Sequence, residues 1–362
     1  MFNPLRFFRK KFHPSYIGVD IGTTSIKIVE VEKGEHLPRI TNYAILESKS
    51  SLTRANTVFQ TSSLKLFEAE IAELLKLTIA RMKLKGNEAI ASLPGFSAFI
   101  TLLSLPEMNP AELQNAITFQ ARQYIPSSLS DVQLDWIKVG EHEDPSGLKY
   151  QQVLLISVPQ DTIKKYQDIF RRAGLTLTAL EIESLSLARS LVGTDPTPTA
   201  IADIGSRSTT IAIVDQGGLI YASQTDFAGS SLTQAIASSL SINPVRAEEL
   251  KRERGILTTG PNYELSTIML PFLDGILSEV KRAITAYEAQ LPGAPKLERC
   301  IVSGGGANLL GIEKYFTSQL GFPSVKAAPF ARFEYPAALE PVVPELNPDM
   351  SVALGLVLRE FA

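Results

Sequence analysis

Apolar and polar positions follow two different periods along this chain, and the switches between them mark its elements. Residues 16–31 (YIGVDIGTTSIKIVEV) and 200–214 (AIADIGSRSTTIAIV) each read as an apolar run, a short polar turn and a second apolar run. That pattern predicts a pair of strands joined by a tight turn, twice over. At 64–83 the period becomes helical, with Leu64, Phe67, Ile71, Leu74, Thr78 and Met82 on one face expected to be buried. Strands are expected at 88–92 and 98–105. Asn109-Pro110 with Glu112 combines an N-cap, a proline in the first turn and a capping-box carboxylate, so a helix starts there and ends near Ile125, before Pro126. Strands at 132–139 and 150–158 flank the turn-rich EHEDPSG, and a helix at 161–173 stops at Gly174.

After LVGTDPTPT, the best boundary in the chain, the second hairpin is followed by a strand at 219–224 and helices starting near Ser230 and at Asn243-Pro244. A long helix at 265–290, a strand at 297–303, a helix at 309–320 and a closing helix at 349–361, begun by Asn347-Pro348, complete the series. Helices interleaved with hairpins give an α/β class with sheets covered by helices. The expected organisation is an N-terminal arm at 1–15, a first domain at 16–198 with a small inserted subdomain at about 88–160, a second domain at 199–345, and a C-terminal helix at 346–362 returning to the first domain.

Composition narrows the classes. A chain of 362 residues that is 44% hydrophobic and 20% charged folds, and is long enough for two cores. A net charge of -3 lacks the basic surface of a general nucleic-acid binder. Cys300 is the single cysteine, which excludes an intramolecular disulfide or a cysteine zinc cluster and fits a reducing compartment. It stands in an apolar strand and reads as core. No stretch has the length and apolarity of a membrane span. The arm MFNPLRFFRKKFHPS mixes Phe2, Leu5, Phe7, Phe8 and Phe12 with Arg6, Arg9, Lys10 and Lys11, a composition that suits an anionic membrane surface, a partner or local packing alike.

The chemistry lies in the repeat. Aligning the two copies places Asp20 on Asp203, Gly22 on Gly205 and Ser25 on Ser208. A turn between two strands can aim backbone N–H groups into one concavity that attracts phosphate oxygens. Gly22 and Gly205 are expected to supply unusual dihedrals and close approach, and Thr23, Thr24, Ser25 and Ser208 to add hydroxyl donors. Carboxylates beside phosphates call for a cation, so Asp20 and Asp203 are expected around Mg²⁺, through water. Lys27, on the same strand face as Ser25, can neutralise phosphate charge. A third element, SGGGANLLG at 303–311, sits at a strand-to-helix junction where Gly304, Gly305 and Gly306 leave room for a flat ligand group or for close packing. It does not match G-x-G-x-x-G, and Walker A is absent.

On these motifs the chain resembles the actin/Hsp70/sugar-kinase ATPase superfamily and, within it, the PilM family of type IV pilus assembly, related to the division protein FtsA. The resemblance covers nearly the whole chain. Its PilM-like character rests on the SIK ending of the first loop, the insertion LPEMNPAELQNAITFQARQYIP and the closing NPDMSVALGL. It implies an actin-like ATPase fold of two mixed α/β domains with an inserted subdomain, binding ATP or ADP with Mg²⁺. It assigns the first phosphate loop to Gly22, Thr23, Thr24, Ser25 and Lys27, and the second to Gly205, Ser206, Arg207 and Ser208, where Arg207 replaces a glycine common in relatives. It assigns the adenosine side to Glu248, Lys251, Gly304, Gly305, Gly306, Ala307 and Leu309, and a catalytic role to Asp20, Asp203 and Glu183, where Ser184 replaces the usual proline. It further implies a location in the cytoplasm, recruited peripherally to the inner membrane, and a groove of the inserted subdomain that receives the short cytoplasmic segment of a PilN-like membrane protein. Phe119, Tyr124 and Ile125 stand near that groove or in the subdomain core. Contacts with other platform or motor components and self-association are compatible with this picture. An FtsA-like division adapter, a type II secretion adapter and a small-molecule kinase are the alternatives.

Overall fold

Two five-stranded sheets carry the two halves of the chain, each built round one copy of the repeated hairpin. The computed structural model describes residues 15–47, 68–125, 128–143, 146–256, 263–291 and 293–361. The basic, aromatic arm, apart from Ser15, and the first turn expected at 64–67 lie outside them. In the first sheet β1 (Tyr16–Ile21) pairs antiparallel with β2 (Ser25–Glu32), and β2 with β3 (Arg39–Glu47). On its other side β1 runs parallel to β4 (Glu88–Leu93), which pairs parallel with β8 (Thr176–Ile182). The second sheet repeats this plan: β9 (Thr199–Ile204), β10 (Thr209–Asp215) and β11 (Gly218–Thr225) are antiparallel, while β12 (Arg299–Ser303) and β13 (Ser324–Lys326) are added parallel to β9. Central strands covered on both faces carry continuous apolar runs, here Ala200, Ile201 and Ala202 of β9 and Ile211 to Val214 of β10.

A third, antiparallel sheet has the order β5-β7-β6, from β5 (Phe99–Pro106), β6 (Val132–Glu143) and β7 (Lys149–Pro159). Its helix α2 (Pro110–Tyr124) follows α1 (Glu68–Met82) and opens with the expected capping box: Asn109 accepts from the Ala111 and Glu112 N–H groups, and Glu112 from the Asn109 N–H. Leu113, Ile117 and Ala121 seal this small core against Val153 and Leu155. The strand at 88–92 belongs to the large sheet, because Ala89, Ile90 and Ala91 are covered on both faces; the strand-helix-strand-strand unit therefore begins at Phe99. The face of α1 also differs from expectation. Ala72 and Leu75 are buried against α3 (Gln160–Ala173), which brings Ile169 and Phe170, while Leu74 faces solvent. Ile71 and Met82 pack partly buried against the same core, as expected.

A short α4 (Glu183–Leu187) begins at Glu183 directly from β8. In the second domain α5 (Gly229–Leu240), α6 (Pro244–Arg254) and the 28-residue α7 (Tyr263–Gln290) cover the sheet, with α8 (Ile312–Leu320) beside β12. Asn347-Pro348 does not start the closing helix. Both residues lie inside α9 (Val343–Asp349), with Pro348 in its last turn and Pro344 in its first, and the chain turns at Met350 into α10 (Ser351–Leu358). Helix α10 is buried from Ser351 to Val357 and packs on the first domain's β1. Glycines make this possible: a Cβ on Gly18 would stand 2.3 Å from Ala353 O, and one on Gly355 2.0 Å from Ser186 O. Arg189 donates to Gly355 O at 2.7 Å and to the buried Glu181, tying α10 to the domain.

Candidate functional site

The two repeated turns have the same construction. Gly22 N–H donates to Ser25 O at 2.9 Å, and Gly205 N–H to Ser208 O at 3.0 Å. Both glycines thus spend their own N–H on closing the turn, and neither has a positive φ. Their requirement is space, because a Cβ would lie 3.1 Å from Ser25 O in one copy and 2.9 Å from Ser208 O in the other. Thr23 at the first tip is exposed, and Thr24, Ser25, Ser206, Arg207 and Ser208 are half-buried, so both tips open to a ligand. The second turn is backed by the start of α5, where Gly229 N–H donates to Gly205 O at 3.0 Å and Ser230 N–H to Ser206 O at 2.7 Å.

Strand register places the side chains behind the turns. Asp20 pairs with Lys27 across β1 and β2, and Asp203 with Thr210 across β9 and β10. Asp20 is buried, accepts from Ser92 Oγ of β4 at 2.7 Å, and stands 3.6 Å from Lys27 Nζ. Burial disfavours the Lys27 ammonium, yet Asp20, Asp349 and Asp203 more than offset it and hold its pKa above the ordinary value. Burial pushes Asp203 up to about 6, with Lys27 and Ser303 opposing. Glu183, at the start of α4, rises to about 8 through burial and the nearby Asp203 and Asp20, although it accepts from Thr210 Oγ1 and from Gly95 N–H at 3.2 Å. The structure therefore brings Asp20, Lys27, Asp203 and Glu183 from four separate segments into one electrostatically coupled cluster.

The remaining expected residues divide. Gly304 has φ +75°, and a Cβ there would strike Ile204 O at 2.5 Å; one on Gly306 would strike the Ile204 side chain at 2.3 Å. These two glycines seat the loop against β9, while Gly305 is exposed with only Asp349 Oδ1 near. Ala307 and Leu309 point into the second domain's core. Glu248 and Lys251 form a half-hidden pair at 2.6 Å; Lys251 also donates to Gly229 O at 3.1 Å and Thr233 Oγ1 at 2.9 Å. Burial lowers the Lys251 pKa, while Glu248, despite burial, is held below its usual range by Lys251, Thr233 and Arg252. The pair joins α6 to the foot of α5, behind the second turn. Phe119 and Tyr124 are exposed on α2, whereas Ile125 is core.

Sequence reasoning missed Ser92, Thr210 and Asp349. Thr210 had a signal: it stands seven residues after Asp203, as Lys27 does after Asp20. Asp349 had none, because it arrives with the return of the chain from α9 to α10. Gly304 N–H donates to Pro348 O at 3.0 Å, which fixes that crossing beside the glycine loop.

Two hairpin-centred α/β domains whose turns and carboxylates converge define an actin-like fold. MreB5 of Spiroplasma citri bound to AMPPNP shares the fold with a TM-score of 0.56 at 13% identity, covering 97% of each chain. A chain of a PilM–PilN type IV pilus biogenesis complex matches more closely, with a TM-score of 0.78 at 22% identity over 96% of this chain and 98% of that one. Among sequences, cell division protein FtsA of Enterococcus hirae is 23% identical over 336 residues, 82% of this chain and 74% of FtsA. The chain belongs to the type IV pilus assembly protein PilM family, whose model matches residues 18–361.

Proposed function

We propose that this type IV pilus assembly protein binds Mg-ATP or Mg-ADP in the cleft between its two domains and, in that state, receives the short cytoplasmic segment of a PilN-like inner-membrane protein through its inserted subdomain. The observation that carries the nucleotide reading is the Lys27 ammonium placed among Asp20, Asp203 and Asp349 behind two open turns. The donor set fits a phosphate chain with a hard cation. Lys27, the hydroxyls of Thr23, Thr24, Ser25 and Ser208, and Arg207 supply positive or donor groups for phosphate oxygens. Asp20 and Asp203 suit Mg²⁺ through water. Among the described residues no three or more His, Cys, Asp and Glu side chains form a metal cage. A Mg²⁺ ion beside Asp20 and Asp203 would take its remaining ligands from phosphate and water oxygens.

The Mg-nucleotide would bring its own phosphoanhydride, and Glu183, which accepts from Gly95 N–H and Thr210 Oγ1, would orient a water molecule. Hydrolysis demands closer alignment than binding, so binding is the primary activity. The described helices include none long and apolar enough to cross a membrane. Recruitment to the inner membrane is assigned to the PilN-like partner, with the exposed Phe119 and Tyr124 of the inserted subdomain as candidate contacts.

Calorimetric titration of nucleotide-free protein with Mg-ATP tests the reading. Binding is expected for the wild type and lost on Asp20→Ala. Equal affinity and equal Mg²⁺ dependence in the two proteins would refute the site. A peptide of the PilN-like cytoplasmic segment should bind at the inserted subdomain, and its failure to do so would remove the partner assignment alone.

A further inference from the structure

One row of side chains crosses the second sheet at its cleft end: Asp203 on β9 pairs with Thr210 on β10, and Thr210 with Gln224 on the edge strand β11. The first domain meets this row with Glu183 and with the backbone N–H of Phe96. Gly95 N–H donates to Glu183 Oε1, which also takes the Thr210 hydroxyl, and Phe96 N–H donates to Gln224 Oε1 at 2.8 Å. Gly95 and Phe96 belong to the short turn Gly95–Ser97, the strap between β4 of the large sheet and β5 of the inserted subdomain. The approach is close: a Cβ on Gly95 would lie 3.3 Å from Gln224 Oε1. Gln224 Nε2 is buried without an acceptor, so the amide is held by the single bond its oxygen receives.

We propose that Gln224 is a positioning residue for Glu183, acting through the Gly95–Phe96 strap, and that the strap carries cleft occupancy to the inserted subdomain. The argument is geometric. Glu183 and Gln224 accept from neighbouring amides of one strap, and Thr210, beside Gln224 in the second sheet, donates its hydroxyl to Glu183. A shift of the two domains about the cleft cannot move Thr210 and Gln224 without pulling on the strap, and the strap leads directly into β5. Any ligand that draws Glu183 toward itself acts on the same bonds. This inference rests on the proposed nucleotide site.

Amide hydrogen exchange at single-residue resolution reads the device, because its two key bonds are themselves exchangeable amides. The probe is Mg-AMPPNP, with its binding measured separately by calorimetry. In the wild type, Mg-AMPPNP is expected to change exchange at Gly95, Phe96 and along β5. In Gln224→Leu, protection at Phe96 is expected to fall about tenfold, the worth of one ordinary hydrogen bond, and the ligand-induced change in β5 to vanish, with Mg-AMPPNP affinity retained within about threefold. Leucine leaves no acceptor unpaired, and Phe96 is exposed enough for water to replace the lost partner, so the variant folds. Gln224→Glu keeps an acceptor and should restore Phe96 protection. Binding of Mg-AMPPNP with unchanged exchange, or a Gln224→Leu response equal to wild type, overturns the inference alone. Absence of Mg-AMPPNP binding in the wild type overturns the nucleotide site and the strap's role together.

Discussion

Glu183→Gln offers the sharpest physical test of the cleft, because the environment of this carboxyl makes folding depend on pH. Its pKa rises from 4.5 to about 8 through burial and the charges of Asp203 and Asp20. A raised acid in the folded state means that the stability it contributes is complete below pH 4.5. That contribution is lost as pH climbs through about 8, because the unfolded chain releases the proton first. At about 1.4 kcal/mol per unit, the full window amounts to roughly 5 kcal/mol, of which about 4 falls between about pH 5 and 9. Glutamine keeps the size of the side chain and an oxygen for the Thr210 hydroxyl and the Gly95 N–H, but removes the titration. Equilibrium urea unfolding of both nucleotide-free proteins, in chelator and at a series of pH values, gives the difference directly. Asp203 titrates in both and largely cancels. The variant should match the wild type near pH 5 and exceed it by several kcal/mol near pH 9. Stability profiles that stay parallel to within about 1 kcal/mol across that range would refute the account of a buried, charge-repelled carboxyl.

Other expectations follow from packing and charge. Gly18→Ala and Gly355→Ala each drive a Cβ onto a backbone oxygen across the α10 contact and should each cost at least about 2 kcal/mol, read as a several-degree fall in Tm; an unchanged Tm would mean that α10 is not clamped as described. Gly304→Ala, strained by its positive φ and by Ile204 O, should destabilise by about 1–3 kcal/mol and weaken Mg-ATP binding, whereas Gly305→Ala should lie within about 0.5 kcal/mol of wild type. Equal effects in thermal melts and titrations would dissolve that distinction. Lys251→Met leaves the mostly buried Glu248 with only the exposed Arg252 as a charge partner and should cost roughly 3 kcal/mol in urea unfolding, an effect that Glu248→Gln in the same chain should partly relieve.

Much of this molecule was legible in the order of its residues because local rules decide local structure. The twin Asp-x-Gly turns, the capping box at Asn109, the stop at Gly174 and the buried strand of Cys300 all depend on neighbours within a few positions, and periodicity exposes them. The pairing of Asp20 with Asp203 as equivalent residues also came from sequence, through internal repetition. Tertiary structure alone decided what those residues meet. Which face of α1 is buried depended on the approach of α3. The place of the strand at Glu88–Leu93 depended on β1 and β8, and the start of the last helix on the crossing at Met350. The same holds for the cleft: Ser92, Asp349 and Gln224 are distant in the chain from the residues they serve, and a sequence contains no term for a contact made only after two sheets have formed and closed upon each other. Local propensity writes the strands and turns; burial of their shared faces chooses the partners, and with them the charges that surround Lys27.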